Sequence, residues 1–287
     1  MLTKKLDCWF EMWLMSFGTW PLWWVSEWHP EQEEKAIKVI DYAINSGMNY
    51  IDTAELYWCG ESEKFLWKVI SQYQRDTLFI ASKVRGSNAS YEAIKMACNN
   101  SLKRLETEYI DLYYIHWRDA QFDLADCMRA LEELVDEGKI RHIWVSNFST
   151  ETLKKAQSYC KKYKIVANQV HYNLLFREPE KDGLLEYCQE NDIMLVSYRP
   201  IELWKLAHNP TLHYMWLVKK YKAIPAQLSL NWLFTQMNVV TIFHSSNFEH
   251  IDENIQALNF KMSAEDVAFL RKDLKWQIFE SDCIPLS

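Results

Sequence analysis

The chain has 287 residues, 49% of them apolar, and a formal net charge of −7. That is enough apolar material for a full core, and without a basic run it offers no electrostatic footprint for nucleic acid. Seven cysteines, odd in number and without a CxxC pair, indicate neither a disulfide framework nor a metal site.

No apolar stretch reaches the ~20 residues of a membrane span, and the N-terminus lacks the order of a secretory signal. The expectation is a reduced, cytoplasmic protein, with no nucleic-acid or membrane partner.

Residues 5–14 alternate and suit a small hairpin, and Met15–Trp20 reads as a buried strand stopped by Pro21. From Pro30 an acidic first turn precedes Ala36, Ile37, Ile40, Ala43 and Ile44 at helical spacing, closed by Asn45-Ser46-Gly47. The cycle then repeats, with strand 49–54 before helix 61–72, strand 78–84 before helix 90–106, and strand 110–116 before helix 123–137. Strand 142–146 precedes helix 150–163, strand 166–170 precedes helix 179–190, and strand 193–198 precedes helical segments in 210–237. Strand 238–242 and helices near 248–256 and 263–273 come last.

Eight strand–helix units without a linker predict a single domain over 1–287, a (β/α)8 TIM barrel with a short N-terminal β-hairpin. A doubly wound open sheet is the alternative. Against it stand the count of eight and the absence of any GxGxxG among six isolated glycines.

A barrel gathers its chemistry at the carboxyl ends of its strands. The polar residues expected there are Asp52, Lys83, His116, Ser146, Asn147, Gln169 and Tyr198, with Tyr57 on the loop beyond Asp52. A buried carboxylate is costly unless paired. Asp52 would keep Lys83 charged, the ammonium would stabilise a Tyr57 phenolate, and Tyr57 would serve as general acid toward a carbonyl oxygen held by His116. Singly, each of these residues is more simply structural; together on neighbouring strand ends they point to a site.

The segments Phe17-Gly18-Thr19-Trp20, Asp52-Thr53-Ala54-Glu55-Leu56-Tyr57, Ser82-Lys83-Val84 and Tyr113-Tyr114-Ile115-His116-Trp117 carry a resemblance, as do Val145-Ser146-Asn147-Phe148, Asn168-Gln169-Val170-His171-Tyr172-Asn173, Ser197-Tyr198-Arg199-Pro200 and Ser245-Ser246-Asn247 with Glu253-Asn254. The chain resembles the aldo-keto reductase family from about Phe17 to Leu274. The resemblance implies NADPH-dependent reduction of a small aldehyde or ketone, with Asp52, Tyr57, Lys83 and His116 as the catalytic tetrad; a monomer or weak oligomer is expected. It implies that Ser146, Asn147 and Gln169 hold the nicotinamide carboxamide, that Tyr198 stacks on its ring, and that Glu253 and Asn254 meet the adenine. It gives the phosphates to the loop of His244, Ser245, Ser246 and Asn247, with Thr19, Trp20, Arg199 and Pro200 completing the cofactor set.

One imbalance departs from that pattern. Six glycines stand against the roughly 20 expected at ~7% usage, while tryptophan reaches 14. Trp9, Trp23, Trp24, Trp58, Trp67, Trp144 and Trp204 occupy places where the family usually has glycine, Trp13 stands where proline is common, and Phe243-His244 replace Pro-Lys or Pro-Gly. Glycine serves positive φ or close approach, which tryptophan does not, so either the backbone is rebuilt around these rings or the chain has been altered by design; the second is favoured. Trp23, Trp24, Trp58, Trp117 and Trp204 are expected to form the substrate pocket. The alternative is a catalytically silent barrel in which they fill the channel, leaving a dinucleotide binder or a scaffold.

Overall fold

A computed structural model describes residues 2–7, 10–20, 30–202, 206, 214–272, 278 and 281–287. Strands β1 (Thr3–Lys5) and β2 (Glu11–Trp13) pair antiparallel, Thr3 opposite Trp13, as the alternation predicts. Eight parallel strands then follow: β3 (Met15–Gly18), β4 (Tyr50–Asp52), β5 (Phe79–Val84), β6 (Ile110–Ile115), β7 (Ile140–Ser146), β8 (Ile165–His171), β9 (Met194–Tyr198) and β10 (Val239–Phe243). They close in the order β10-β3-β4-β5-β6-β7-β8-β9, a (β/α)8 barrel.

These strands read as near-continuous apolar runs because both faces are buried. One layer fills the barrel interior. There Tyr50, Leu112, Tyr114, Trp144, Met194 and Val240 meet Leu6, Phe10, Met12 and Leu14 of the hairpin, which plugs the amino-terminal end. A second, larger layer lies between the strands and the surrounding helices.

Those helices are α1 (Pro30–Asn45), α2 (Glu61–Ile70), α3 (Tyr91–Arg104), α4 (Leu124–Asp136), α5 (Thr150–Tyr159), α6 (Glu178–Lys181), α7 (Leu184–Glu190), α8 (Met215–Tyr221), α9 (Pro225–Phe234), α10 (Phe248–Ile255) and α11 (Ala264–Lys272). Ser90, Asp123, Ser149 and Asn247 each accept a backbone N–H at a helix start. Among the described residues no helix is long and apolar enough to cross a membrane.

Two predicted helices are shorter than their periodicity implies. The segment 179–190 divides into α6 and α7 because Gly183 takes φ +74 between them. Helix α5 stops at Tyr159, not 163, because the Glu132 carboxylate collects the backbone N–H groups of Lys161, Lys162 and Tyr163 at 2.8, 2.6 and 3.1 Å.

The tryptophans at glycine positions find different solutions. Trp144 is fully buried in the barrel interior and stacks on Tyr114, and the β7–β8 register shifts beside it, between Ile143 and Trp144. Trp67 packs against the helix layer, and Trp13, at the proline position, against Phe79. Trp9, Trp23, Trp24 and Trp204 lie outside the described residues.

Candidate active site

The site starts from register. Asp52 ends β4 opposite Ala81, while two residues further along β5 Lys83 pairs with Tyr114 of β6, so all three side chains meet near one end of the barrel. The chain beyond Asp52 continues alongside β5, with Thr53 N–H donating to Ala81 C=O and Glu55 N–H to Lys83 C=O, and a turn from Tyr57 N–H to Ala54 C=O folds it back. Tyr57 is thereby laid over Lys83.

The Lys83 ammonium donates to the Asp52 carboxylate in a fully buried ion pair, to the Thr53 carbonyl at 2.9 Å and to the Tyr57 hydroxyl at 3.0 Å. On the other carboxylate oxygen, Tyr114 donates at 2.5 Å and Gln169 Nε2 at 3.3 Å. His116 follows β6, its N–H bonded to Val84 C=O, and its ring meets the Tyr57 ring edge-on at 5.7 Å. Its Nδ1 is buried without a hydrogen-bond partner.

Burial governs the protonation of these groups. It pushes the Tyr57 phenol well above its ordinary value, and the nearby Asp52 charge adds to the effect. It lowers Lys83, against which the Asp52 carboxylate works to keep the ammonium charged. Burial also holds His116 well below the imidazole range, with Lys83 reinforcing it, so His116 is neutral.

A cavity of about 810 Å³ opens over this cluster, within the few hundred to ~1,000 Å³ that small-molecule sites occupy. Of the predicted residues, Trp20, Asp52, Tyr57, His116, Trp117, Gln169, Tyr198, Arg199, Pro200, His244, Ser245, Ser246 and Asn247 line it. Lys83 sits beneath, buried. Trp117 lies across Gly86, where a Cβ would come within 2.4 Å of the indole.

Other predicted residues support the cavity without lining it. Thr19 is buried and donates its hydroxyl to Asp52 C=O at 3.1 Å. Ser146 donates to Gln169 C=O at 3.0 Å, and Asn147, at φ +60, donates to His116 C=O at 3.0 Å while accepting from the Tyr198 hydroxyl at 3.0 Å. The Tyr198 ring in turn stacks on His171 and that ring on Phe176. On α10, Asn254 is buried with an unpaired Nδ2 and Glu253 is half-buried.

Trp58 is a correction. Trp58 and Cys59 follow Tyr57 in left-handed conformations, φ +56 and +52, and this turn carries the indole to Ala36 and Phe65 between α1 and α2 instead of into the cavity. Trp23, Trp24 and Trp204 fall outside the described residues.

Several lining residues went unread: Leu56, Ile201, His250, Cys283 and Ile284. His250 follows Asn247 by three positions and shares its face of the helix, a readable signal. Cys283 and Ile284 belong to a C-terminal tail whose described residues bond the loop after β8 at Ile278 and the loop after β7 at Ser287. Ile278 N–H donates to Leu175 C=O and Ile278 C=O accepts from Arg177 N–H, and Ser287 likewise donates its N–H to Asn147 C=O and accepts at its C=O from Ser149 N–H. On this tail Asp282 and Cys283 come close to His171, but His171 is bonded to Glu202 at 2.7 Å and Ser281 at 3.1 Å, and Asp282 to Arg199 at 2.9 Å.

Fold and site define a class: a parallel barrel whose strand ends bury a carboxylate–amine pair beneath a phenol and a neutral imidazole, at the floor of one cavity. The chain belongs to the aldo/keto reductase family, whose sequence model matches residues 14–274. It is 35% identical over 241 residues to the glyoxal reductase of Bacillus subtilis (strain 168), 83% of each chain. It superposes with a TM-score of 0.90 on the thermostable aldo-keto reductase Tm1743 in complex with the inhibitor epalrestat, at 36% identity over 94% of this chain and 98% of that one. An aldo/keto reductase from Klebsiella pneumoniae, solved with NADP and acetate, gives a TM-score of 0.83 at 30% identity over 99% of both chains.

Proposed function

We propose that this chain reduces aldehydes or ketones to alcohols with NADPH. The observation that carries the reading is the reach of one buried amine, Lys83, to both the Asp52 carboxylate and the Tyr57 hydroxyl.

The residues fit a dinucleotide. Ser245, Ser246 and Asn247 stand at the amino end of α10, where backbone N–H groups favour phosphate, Tyr198 presents an aromatic ring to the cavity, and Asn254 keeps an unpaired amide nitrogen further along the helix. When bound, NADPH supplies the hydride. The protein supplies the proton and its path.

Tyr57 carries its proton across the whole neutral range because burial disfavours the phenolate, so the acid is always loaded. As the proton leaves for the carbonyl oxygen, Lys83 stabilises the phenolate through the 3.0 Å contact, and Asp52 keeps that amine cationic. Neutral His116 beside Tyr57 offers a ring N–H to the same oxygen and fixes its approach. Such acid catalysis contributes about 10²–10⁴ in rate.

The name of the Bacillus subtilis relative makes glyoxal a first substrate to try, alongside aromatic aldehydes. NADPH absorbance should fall when aldehyde is added, and Tyr57→Phe should abolish that fall. Unchanged turnover in Tyr57→Phe would refute the mechanism. Tight NADPH binding by tryptophan fluorescence with no turnover on a broad carbonyl panel would instead support the silent barrel. We further take the chain to act as a monomer or weak oligomer and to work in the reducing cytoplasm, the compartment being the part of this reading that six described cysteines, all free thiols, support.

A further inference from the structure

Tyr113 and Tyr114 are neighbours on β6 with opposite surroundings. Tyr113 faces the helices; Tyr114 faces the barrel interior, fully buried. The Tyr114 ring is pinned against Trp144, centroids 4.7 Å apart and planes 18° from parallel, and it lies 5.2 Å from Lys83 Nζ. Its hydroxyl donates to Asp52 Oδ2 at 2.5 Å.

A carboxylate offers about four acceptor positions. In Asp52 one oxygen takes Lys83 and the other takes Tyr114 and, more distantly, Gln169. The reductase reading assigns work to Lys83, Tyr57 and His116 but none to Tyr114. Resting on that reading, we propose that Tyr114 is a positioning residue: by donating to Asp52 it fixes the rotation of the carboxylate and sets how strongly Asp52 holds the Lys83 proton.

The physical reason is competition for one charge. A hydrogen bond from the phenol draws negative charge toward Oδ2, and charge drawn there is withdrawn from Lys83. Tyr57 and His116 face this pair from the cavity, Glu63 of α2 acts on Lys83 from beyond β5, Arg85 acts on His116, and Tyr50 faces Asp52 from the barrel interior. Among the described residues, only Lys83, Tyr114 and Gln169 hydrogen-bond the Asp52 side chain.

Tyr114→Phe keeps the ring on Trp144 and removes only the donor. Asp52 then acts on Lys83 undiluted. The alkaline limb of kcat should move up by about half to one pH unit, with the KM of the carbonyl unchanged; Asp52→Asn, which removes the charge, should move it down. In the free protein, an NMR titration of the Lys83 side-chain carbons should show the same upward shift without any turnover.

Profiles unmoved in Tyr114→Phe, or moved downward, overturn the proposal. If wild-type protein consumes no NADPH on any carbonyl, the reductase reading fails while the NMR titration still decides the role of Tyr114. If Tyr114→Phe does not fold, Gln169→Met removes the weaker donor on the same oxygen and must shift the titration upward, by less; no shift there overturns the proposal equally.

Discussion

Replacing Lys83 by methionine isolates what the buried ion pair does. Methionine fills most of the lysine stem and leaves Asp52, 3% exposed, with Tyr114 and Gln169 but without a cation. Removing one partner of a buried pair costs about 3–5 kcal/mol, because the remaining charge is stranded in low dielectric. The variant escapes part of that cost by folding with a proton on Asp52. Above pH ~4 the unfolded chain has released that proton, so folding must take one up, and stability falls by about 1.36 kcal/mol per pH unit as pH rises.

Urea unfolding at pH 4.5 and pH 8 therefore separates the cases: the deficit of Lys83→Met against wild type should be small at the lower pH and reach several kcal/mol at the higher. Lys83→Met/Asp52→Leu, which removes both charges, should recover most of the loss at pH 8 and none of the activity. A deficit that is the same at both pH values, or below about 1 kcal/mol at pH 8, would refute the view of Asp52 and Lys83 as a mutually dependent pair.

Further expectations follow from neighbouring geometry. Tyr57→Phe should cut kcat by about 10²–10⁴ while leaving NADPH affinity, read by fluorescence titration, close to wild type. His244 donates from Nδ1 to Gly18 C=O and is held by burial at about 4, so it stays neutral in the fold; since the unfolded imidazole protonates below about 6.5, stability should be lost between pH 6.5 and 4, by up to about 3 kcal/mol from this residue, as urea midpoints would show. Cys59→Gly should stabilise by about 1 kcal/mol in the same assay, because Cys59 is exposed and strained at φ +52. Gly86→Ala should push Trp117 off its seat, costing about 1–3 kcal/mol and raising the carbonyl KM more than it lowers kcat.

What could be read in advance was whatever depends on period and on strand ends. Asp52, Lys83 and His116 were legible because each stands where an apolar run gives out, and a barrel turns all such ends toward one rim. Tyr57 was legible as a phenol five residues beyond the acid. The direction of Trp58 was not, because it depends on two left-handed φ angles, at Trp58 and Cys59, which composition does not reveal. The Tyr114 hydroxyl was hidden for a different reason: alternation aims the ring inward, but its contact with Asp52 spans 62 residues and depends on the register of three strands. Cys283 and Ile284 reach the cavity through a tail whose path is set by main-chain partners near residues 147 and 175, a long-range match with no local signature.

That tail carries a consequence for how such a barrel diversifies. Among the described residues its main-chain moorings, at Ile278 and at Ser287, are bonds between backbone groups, which almost any residue provides, while Ser281 and Asp282 add side-chain ties to His171 and Arg199. The Cys283 and Ile284 side chains, which face the cavity, can be exchanged while these ties hold. The shape and polarity of that wall can thus drift toward new carbonyl compounds without disturbing the buried charges beneath, which lets selectivity vary on a rim while reactivity stays constant at the floor.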